Sequence, residues 1–160
     1  MSHIGWTFTP SMITDGQRSA SSLSGERVWR MLPFELVRLT DLENEVRIIV
    51  HSAMESGFWE AEIAVTSMFV KGGTLLVLSR PKLEAWGRAL EELSQGRDIV
   101  WMEMNRGPTV AIQLDGDRDC PEVVVDDESI SMVTVRIPIA LEEGWIADHQ
   151  ARVRQFLEWA

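Results

Sequence analysis

Apolar residues in this chain follow two different periods. From Asn44 to Val50 they alternate, with Val46, Ile48 and Val50 on one side and Glu45 and Arg47 on the other. From Phe58 to Val65, Trp59, Ala61, Ile63 and Val65 alternate with Glu60 and Glu62. Alternation of period two is the signature of a strand with one buried face. Between Pro81 and Gln95 the period lengthens: Leu83, Trp86, Leu90 and Leu93 form one stripe, and Glu84, Arg88, Glu91 and Glu92 lie opposite. That is an amphipathic helix. Ser79 stands near its N-cap, Pro81 suits the first turn, and Gly96 ends it as a C′ glycine.

Strands are also predicted at Leu36–Leu39, Thr74–Leu78, Ile99–Met104, Thr109–Leu114 and Glu122–Val125, with a long one at Ser129–Ile139. Pro138 marks the end of that last strand or a sheet edge. Asp41–Asn44 supplies turn residues. Lys71-Gly72-Gly73 reads as a hairpin turn, and Ser67–Val70 before it as an extension of its strand past a bulge. Asn105-Arg106-Gly107-Pro108 is a further turn. A closing helix runs from about Trp145 to Trp159, with Ile146, Val153, Phe156, Leu157 and Ala160 on its buried stripe. These elements make an α+β domain. Its strongly twisted antiparallel sheet has about six to eight strands, with one helix between two meanders and a C-terminal helix. No internal repeat is visible in the sequence.

The first thirty residues break the pattern. They are rich in Ser, Gly and Thr, and their apolar residues occur singly. Residues 1–30 read as a flexible N-terminal arm, with Met31 an alternative natural start, and 31–160 as the single folded domain. The arm holds three arginines against two acids, so the remainder is slightly more acidic than the whole chain, whose net charge is −10. Such a surface disfavours nucleic acid and anionic membranes and favours a basic protein partner. Cys120 is the sole cysteine, and no apolar run approaches the length of a membrane span, which points to a cytoplasmic protein.

Candidate chemistry is thin. Asp115, Asp117, Asp119 and Asp126 fall at positions 1, 3, 5 and 12 of a loop, a spacing that hard cations use. Cys120 replaces the glycine expected at position 6, and strands flank the loop, so a solvated acidic hairpin loop is the simpler reading. Residues 115–128 hold seven acids against Arg118, which also suits a basic partner. His51, Glu60 and Glu62 are the weak catalytic candidates, against the plainer reading of an exposed sheet face. For His149, a local ion pair with Asp148 outweighs a catalytic dyad. Trp59, Trp101, Met102 and Met104 would enclose an apolar pocket if the sheet curled, although core packing accounts for them more simply. The pattern implies no cofactor.

Glu35-Leu36-Val37-Arg38-Leu39-Thr40-Asp41, Leu78-Ser79-Arg80-Pro81 with Leu83-Glu84-Ala85-Trp86, Arg106-Gly107-Pro108-Thr109-Val110, and Gly144-Trp145-Ile146-Ala147-Asp148-His149 carry a resemblance. Through them, residues 34 to 159 resemble a family of small actinobacterial (Streptomyces-type) proteins of unknown function, which implies no catalytic role for any residue. The order meander, helix, meander also resembles some bacterial toxin-immunity proteins, in arrangement alone. Two readings stay open. One is a non-catalytic interaction protein with an immunity or regulatory role. The other is a small-molecule binder or cofactor-free cyclase or isomerase of secondary metabolism. A filled core with an exposed apolar patch rimmed by acids favours the first; an apolar cavity with a perturbed carboxylate or histidine favours the second.

Overall fold

The computed structural model describes residues 31–103, 107–116 and 119–160. Residues 1–30, which the sequence reads as an arm, together with Met104, Asn105, Arg106, Asp117 and Arg118, lie outside the described residues. Eight strands and two helices follow in chain order: β1 Phe34–Thr40, β2 Glu45–Ala53, β3 Phe58–Thr66, β4 Lys71–Ser79, α1 Arg80–Ser94, β5 Ile99–Trp101, β6 Thr109–Gln113, β7 Glu122–Asp127, β8 Val133–Pro138 and α2 Trp145–Trp159. The α+β expectation stands. The strands divide into two antiparallel sheets of four, β1-β2-β3-β4 and β5-β6-β7-β8. Each sheet is a meander followed by a helix, so a topology repeats that no sequence repeat announces.

The alternation in β2 and β3 does what its period requires. Val46, Ile48 and Val50 pair across with Val65, Ile63 and Ala61, and all six are buried. A bulge between Glu35 and Val37 lets β1 bury both Leu36 and Val37. The stripe Leu83, Trp86, Leu90 and Leu93 of α1 is fully inside the core. Each such side chain contributes roughly 1.5–3 kcal/mol by leaving water. Past the C-cap at Gln95, Gly96 takes φ 75° and its N–H reaches the Leu93 carbonyl at 3.0 Å, which ends the helix.

Both sheets and both helices share one hydrophobic core. Trp59 meets Phe156 edge-on at 5.5 Å, and Trp86 meets Trp101 at 5.0 Å. These tryptophans therefore fill the core instead of lining a pocket. The Trp101 indole N–H donates to the Lys82 carbonyl at 2.9 Å, which ties β5 to the start of α1.

Three local expectations change. Ser67–Val70 is the turn between β3 and β4, and Lys71-Gly72-Gly73 belongs to the strand. The Ser67 hydroxyl accepts the N–H of Val70 at 2.9 Å and of Phe69 at 3.3 Å, so the turn closes four residues earlier than the glycines suggest. Gly73 is glycine for another reason. A Cβ there would collide with the Glu62 carboxylate on the neighbouring strand and press on the Ile63 carbonyl. The last strand is also shorter than its sequence suggests. It begins at Val133, because Asp127 turns the chain over 128–131.

His149 is the third. It is buried in the core instead of being paired with Asp148. Its Nε2 accepts the Arg38 backbone N–H at 2.9 Å, and its Nδ1–H donates to the Trp145 carbonyl at 2.6 Å. The ring is thus neutral and stitches α2 to β1. Asp148 pairs instead with Arg152, at 2.8 Å.

Candidate functional site

Antiparallel meanders collect their turns at the two ends of a sheet. The β1–β2 and β3–β4 turns therefore stand side by side at one end of the first sheet. The β6–β7 loop and the end of β8 join them there through three hydrogen bonds. The Asn44 side-chain amide donates to the Pro138 carbonyl at 3.0 Å, the Ala140 N–H to Asp41 Oδ2 at 2.9 Å, and the Ile139 N–H to the Pro121 carbonyl at 2.9 Å.

Both turns at this end of the first sheet are tightly closed. Asp41 Oδ1 accepts the N–H groups of Glu43 and Asn44, each at 2.8 Å, and Ser67 plays the same part in the second turn. Partial burial works to raise the Asp41 pKa, but the backbone donors from Ala140, Glu43 and Asn44 outweigh it and hold the carboxyl below its ordinary range. The tips of these fixed turns are large and apolar. Phe69 is 96% exposed, Met68 is 91% exposed, and Leu42 is fully exposed. Large apolar side chains held in water on ordered turns are unusual, since nothing in the fold gains from them.

Between the turns lies a cleft of about 440 Å³, bordered by Asn44, Phe69, Val70, Glu122, Ile137 and Pro138 among others. Glu122 is buried and pairs with Arg136 at 2.5 Å, and Arg136 also reaches the Gln113 amide oxygen at 3.1 Å. That arginine is thereby occupied. Glu43, Asp115 and Asp119 are exposed in the turn and loop at this same end. The result is an apolar cluster with an acidic border.

Of the residues singled out for metal binding, Asp117 lies outside the described residues, and the other three are divided between the loop and β7. Asp126 is in β7, where its Oδ1 accepts the Thr134 hydroxyl at 3.2 Å, while Asp115 and Asp119 stay in the loop. Among the described residues no three His, Cys, Asp or Glu side chains come together as metal ligands. His51, Glu60 and Glu62 sit on the outer face of the first sheet. His51 Nε2 and Glu62 Oε2 are 3.3 Å apart and exposed, and the Ser52 hydroxyl donates to Glu60 at 3.1 Å. Glu60 borders a second, open groove of about 600 Å³, with Met54, Leu75, Val77 and Ile130. In that groove the Lys82 ammonium donates to the Val77 carbonyl at 2.6 Å.

One family model, described as a family of unknown function (DUF5959), matches residues 34–160. The chain belongs to the DUF5959 family. No curated protein matches it. The DUF5959 match starts at the first residue of β1 and takes in both sheets and both helices, so Leu42, Met68, Phe69 and the acidic loop all fall inside it. No described helix of this DUF5959 chain is long and apolar enough to cross a membrane.

Sequence reading missed the apolar tips. Leu42 and the Met68-Phe69 pair were absorbed into a turn and a strand. The available signal was an apolar residue within a polar Asp-Leu-Glu-Asn turn, and a Met-Phe pair out of step with the alternation of β3.

Proposed function

We propose that this protein is a non-catalytic interaction module. It engages a protein partner through the turn end of the first sheet, with Leu42, Met68 and Phe69 as the apolar anchors. The observation that carries this reading is the exposure of Phe69 and Met68 on a turn closed by the Ser67 hydroxyl. A turn whose backbone is already closed loses little backbone entropy on docking, and aromatic anchors dominate interface energies. The acids Glu43, Asp115 and Asp119 and the net charge of −10 select the partner's chemistry: an apolar recess rimmed by lysine or arginine. An immunity or regulatory role is the biological form such binding would take.

The alternative, small-molecule conversion at His51, Glu60 and Glu62, has less support. Those groups are exposed on the outer face of the first sheet, and of the three only Glu60 borders the groove of Met54, Leu75, Val77 and Ile130.

The test is co-purification from the native cells, with the partner identified by mass spectrometry. The wild-type chain should retain a protein with a basic surface, in a manner weakened by salt. Met68→Ser/Phe69→Ser should lose it, and Leu75→Ser/Val77→Ser, in the other groove, should keep it. Equal retention by all three would refute the assignment.

A further inference from the structure

A third cleft lies between the sheets, and its origin is visible in β4. The inward positions of that strand are Gly72, Thr74, Leu76 and Leu78, with Gly72 opposite the buried Val65. Two large side chains therefore give way to a small polar one and to none. A Cβ placed on Gly72 would meet nothing within 4 Å, and Gly72 does not adopt a positive φ that would demand glycine. The space left open is about 260 Å³, walled by Val65, Val125, Val133 and Val135, with Thr74 and Asp127 among its lining. It is smaller than the range of about 300–1,000 Å³ usual for drug-sized ligands, and so suits a small group.

Asp127 is the unusual member. It is only 4% exposed. Its Oδ2 accepts the Thr74 hydroxyl at 3.0 Å and the Ser131 N–H at 3.3 Å, bonds that tie the two sheets and shape the β7–β8 turn. Its Oδ1 is buried and has no hydrogen-bond partner among the described residues. Burial works to raise the pKa of the carboxyl, but the side chains of Ser131 and Thr74 and the amides of Ser131 and Ile130 outweigh it and hold the group below its ordinary range. None of the ion pairs among the described residues includes Asp127, and Lys71, at the rim of the same cleft, is not within pairing distance. The donors from Ser131, Thr74 and Ile130 keep the carboxylate charged, and its Oδ1 retains capacity for one further donor.

We infer that the inter-sheet cleft is a binding site for an alkylammonium group, whose chain lies along the valines and whose N–H groups reach Asp127. The exposed turn 129–132 gives way to admit it, because Oδ1 is shut off from solvent in the unliganded chain. The same chemistry is carried by a free alkylamine and by the lysine side chain of a protein. This cleft adjoins the turn-end cleft, with Val70 and Val135 lining both, but the inference rests on Asp127 and does not depend on that interface.

The experiment is an amide-detected NMR titration of the full chain with n-butylammonium, 1-butanol and butyrate at matched ionic strength. Butylammonium should give saturable shifts at Thr74, Val125 and Ser131, and the alcohol and the acid should not. Gly72→Leu fills the cleft while keeping the carboxylate, and should abolish the shifts. Asp127→Asn should weaken binding at least tenfold. Should Asp127→Asn fail to fold, Gly72→Leu decides. Saturation by Nα-acetyl-lysine methylamide as well would assign the cleft to a lysine side chain; saturation by butylammonium alone would assign it to a free amine. No saturable shift, equal shifts from 1-butanol, or shifts unchanged in Gly72→Leu would overturn the inference.

Discussion

The first sheet is made of strands of seven, nine, nine and nine residues; the second, of strands of three, five, six and six. The two halves share one order, four antiparallel strands and then a helix, and divide the work differently. Long strands bury complete alternate rows, and the inner face of the first sheet is apolar from Leu36 to Leu78 apart from Gly72 and Thr74. Short strands leave more of the chain in loops. The second sheet holds the buried acids Glu122 and Asp127 and the acidic loop. The first half serves as frame, and polar chemistry gathers in the second and along the seam between them.

Matched cavities give the strongest break in this comparison. Ile48→Ala and Ile112→Ala each remove a fully buried side chain, one from a nine-residue strand and one from a five-residue strand. Each should cost about 2–5 kcal/mol, with Ile48→Ala the larger because the longer sheet collapses less readily around the void. Urea unfolding measures both, and a larger loss at Ile112 would reverse the assignment of frame and periphery.

The buried ion pair of the second sheet comes next. Arg136→Ala leaves the Glu122 carboxylate buried without its partner at 2.5 Å. Half the arginine is in water, so the expected loss is about 1–3 kcal/mol, not the full cost of breaking a buried pair. Thermal unfolding at neutral pH reads it, and an unchanged melting temperature would show that water already serves Glu122.

The stitch between α2 and β1 is sensitive to acid. Burial is the main cause that lowers the His149 pKa below its ordinary value; the Nδ1–H bond to the Trp145 carbonyl opposes it only in part, and the Arg38 N–H, which Nε2 accepts only when unprotonated, favours the neutral ring as burial does. The unfolded chain then binds a proton more readily than the folded one. Stability should be complete above the unfolded pKa of about 6.5 and fall as the pH drops beneath it, by up to about 1.4 kcal/mol per pH unit. Asp41 and Asp127, both held low, act only below about pH 4, so the interval from pH 6.5 to 5 isolates the histidine. Unfolding free energies of the wild type and His149→Gln across that interval check this: the variant should be weaker at pH 7.5 and nearly flat below it.

The smallest expected effect on stability falls at the proposed interface. Met68→Ser/Phe69→Ser should change unfolding free energy by less than about 0.5 kcal/mol, because neither side chain packs on the fold. A loss above 1 kcal/mol in calorimetry would mean that the tips support the scaffold after all.

The alternation of Val46-Ile48-Val50 and Trp59-Ala61-Ile63-Val65 and the stripe of α1 were legible because one buried face imposes one period. The division into two sheets was not, since periodicity fixes which face is buried and leaves open which strand lies alongside. The pair Gly72-Gly73 misled because glycine has several uses. Here one glycine passes beneath Glu62 and the other opens a cleft, while the turn rests on the Ser67 hydroxyl. His149 and Asp127 took their meaning from distant partners, Arg38 and Thr74, that no local pattern announces.

The most direct test of the turn-end interface is site-specific photo-crosslinking in the native cells, with p-benzoylphenylalanine replacing Phe69 in one chain and Phe58 in another. Phe58 is also exposed and begins the strand that ends beside the Phe69 turn, roughly 25 Å away. The account predicts a discrete adduct from position 69, containing a protein with a basic surface, and none of it from position 58. The same adduct from both positions, adducts only with a second copy of this chain, or no adduct at 69 would contradict it.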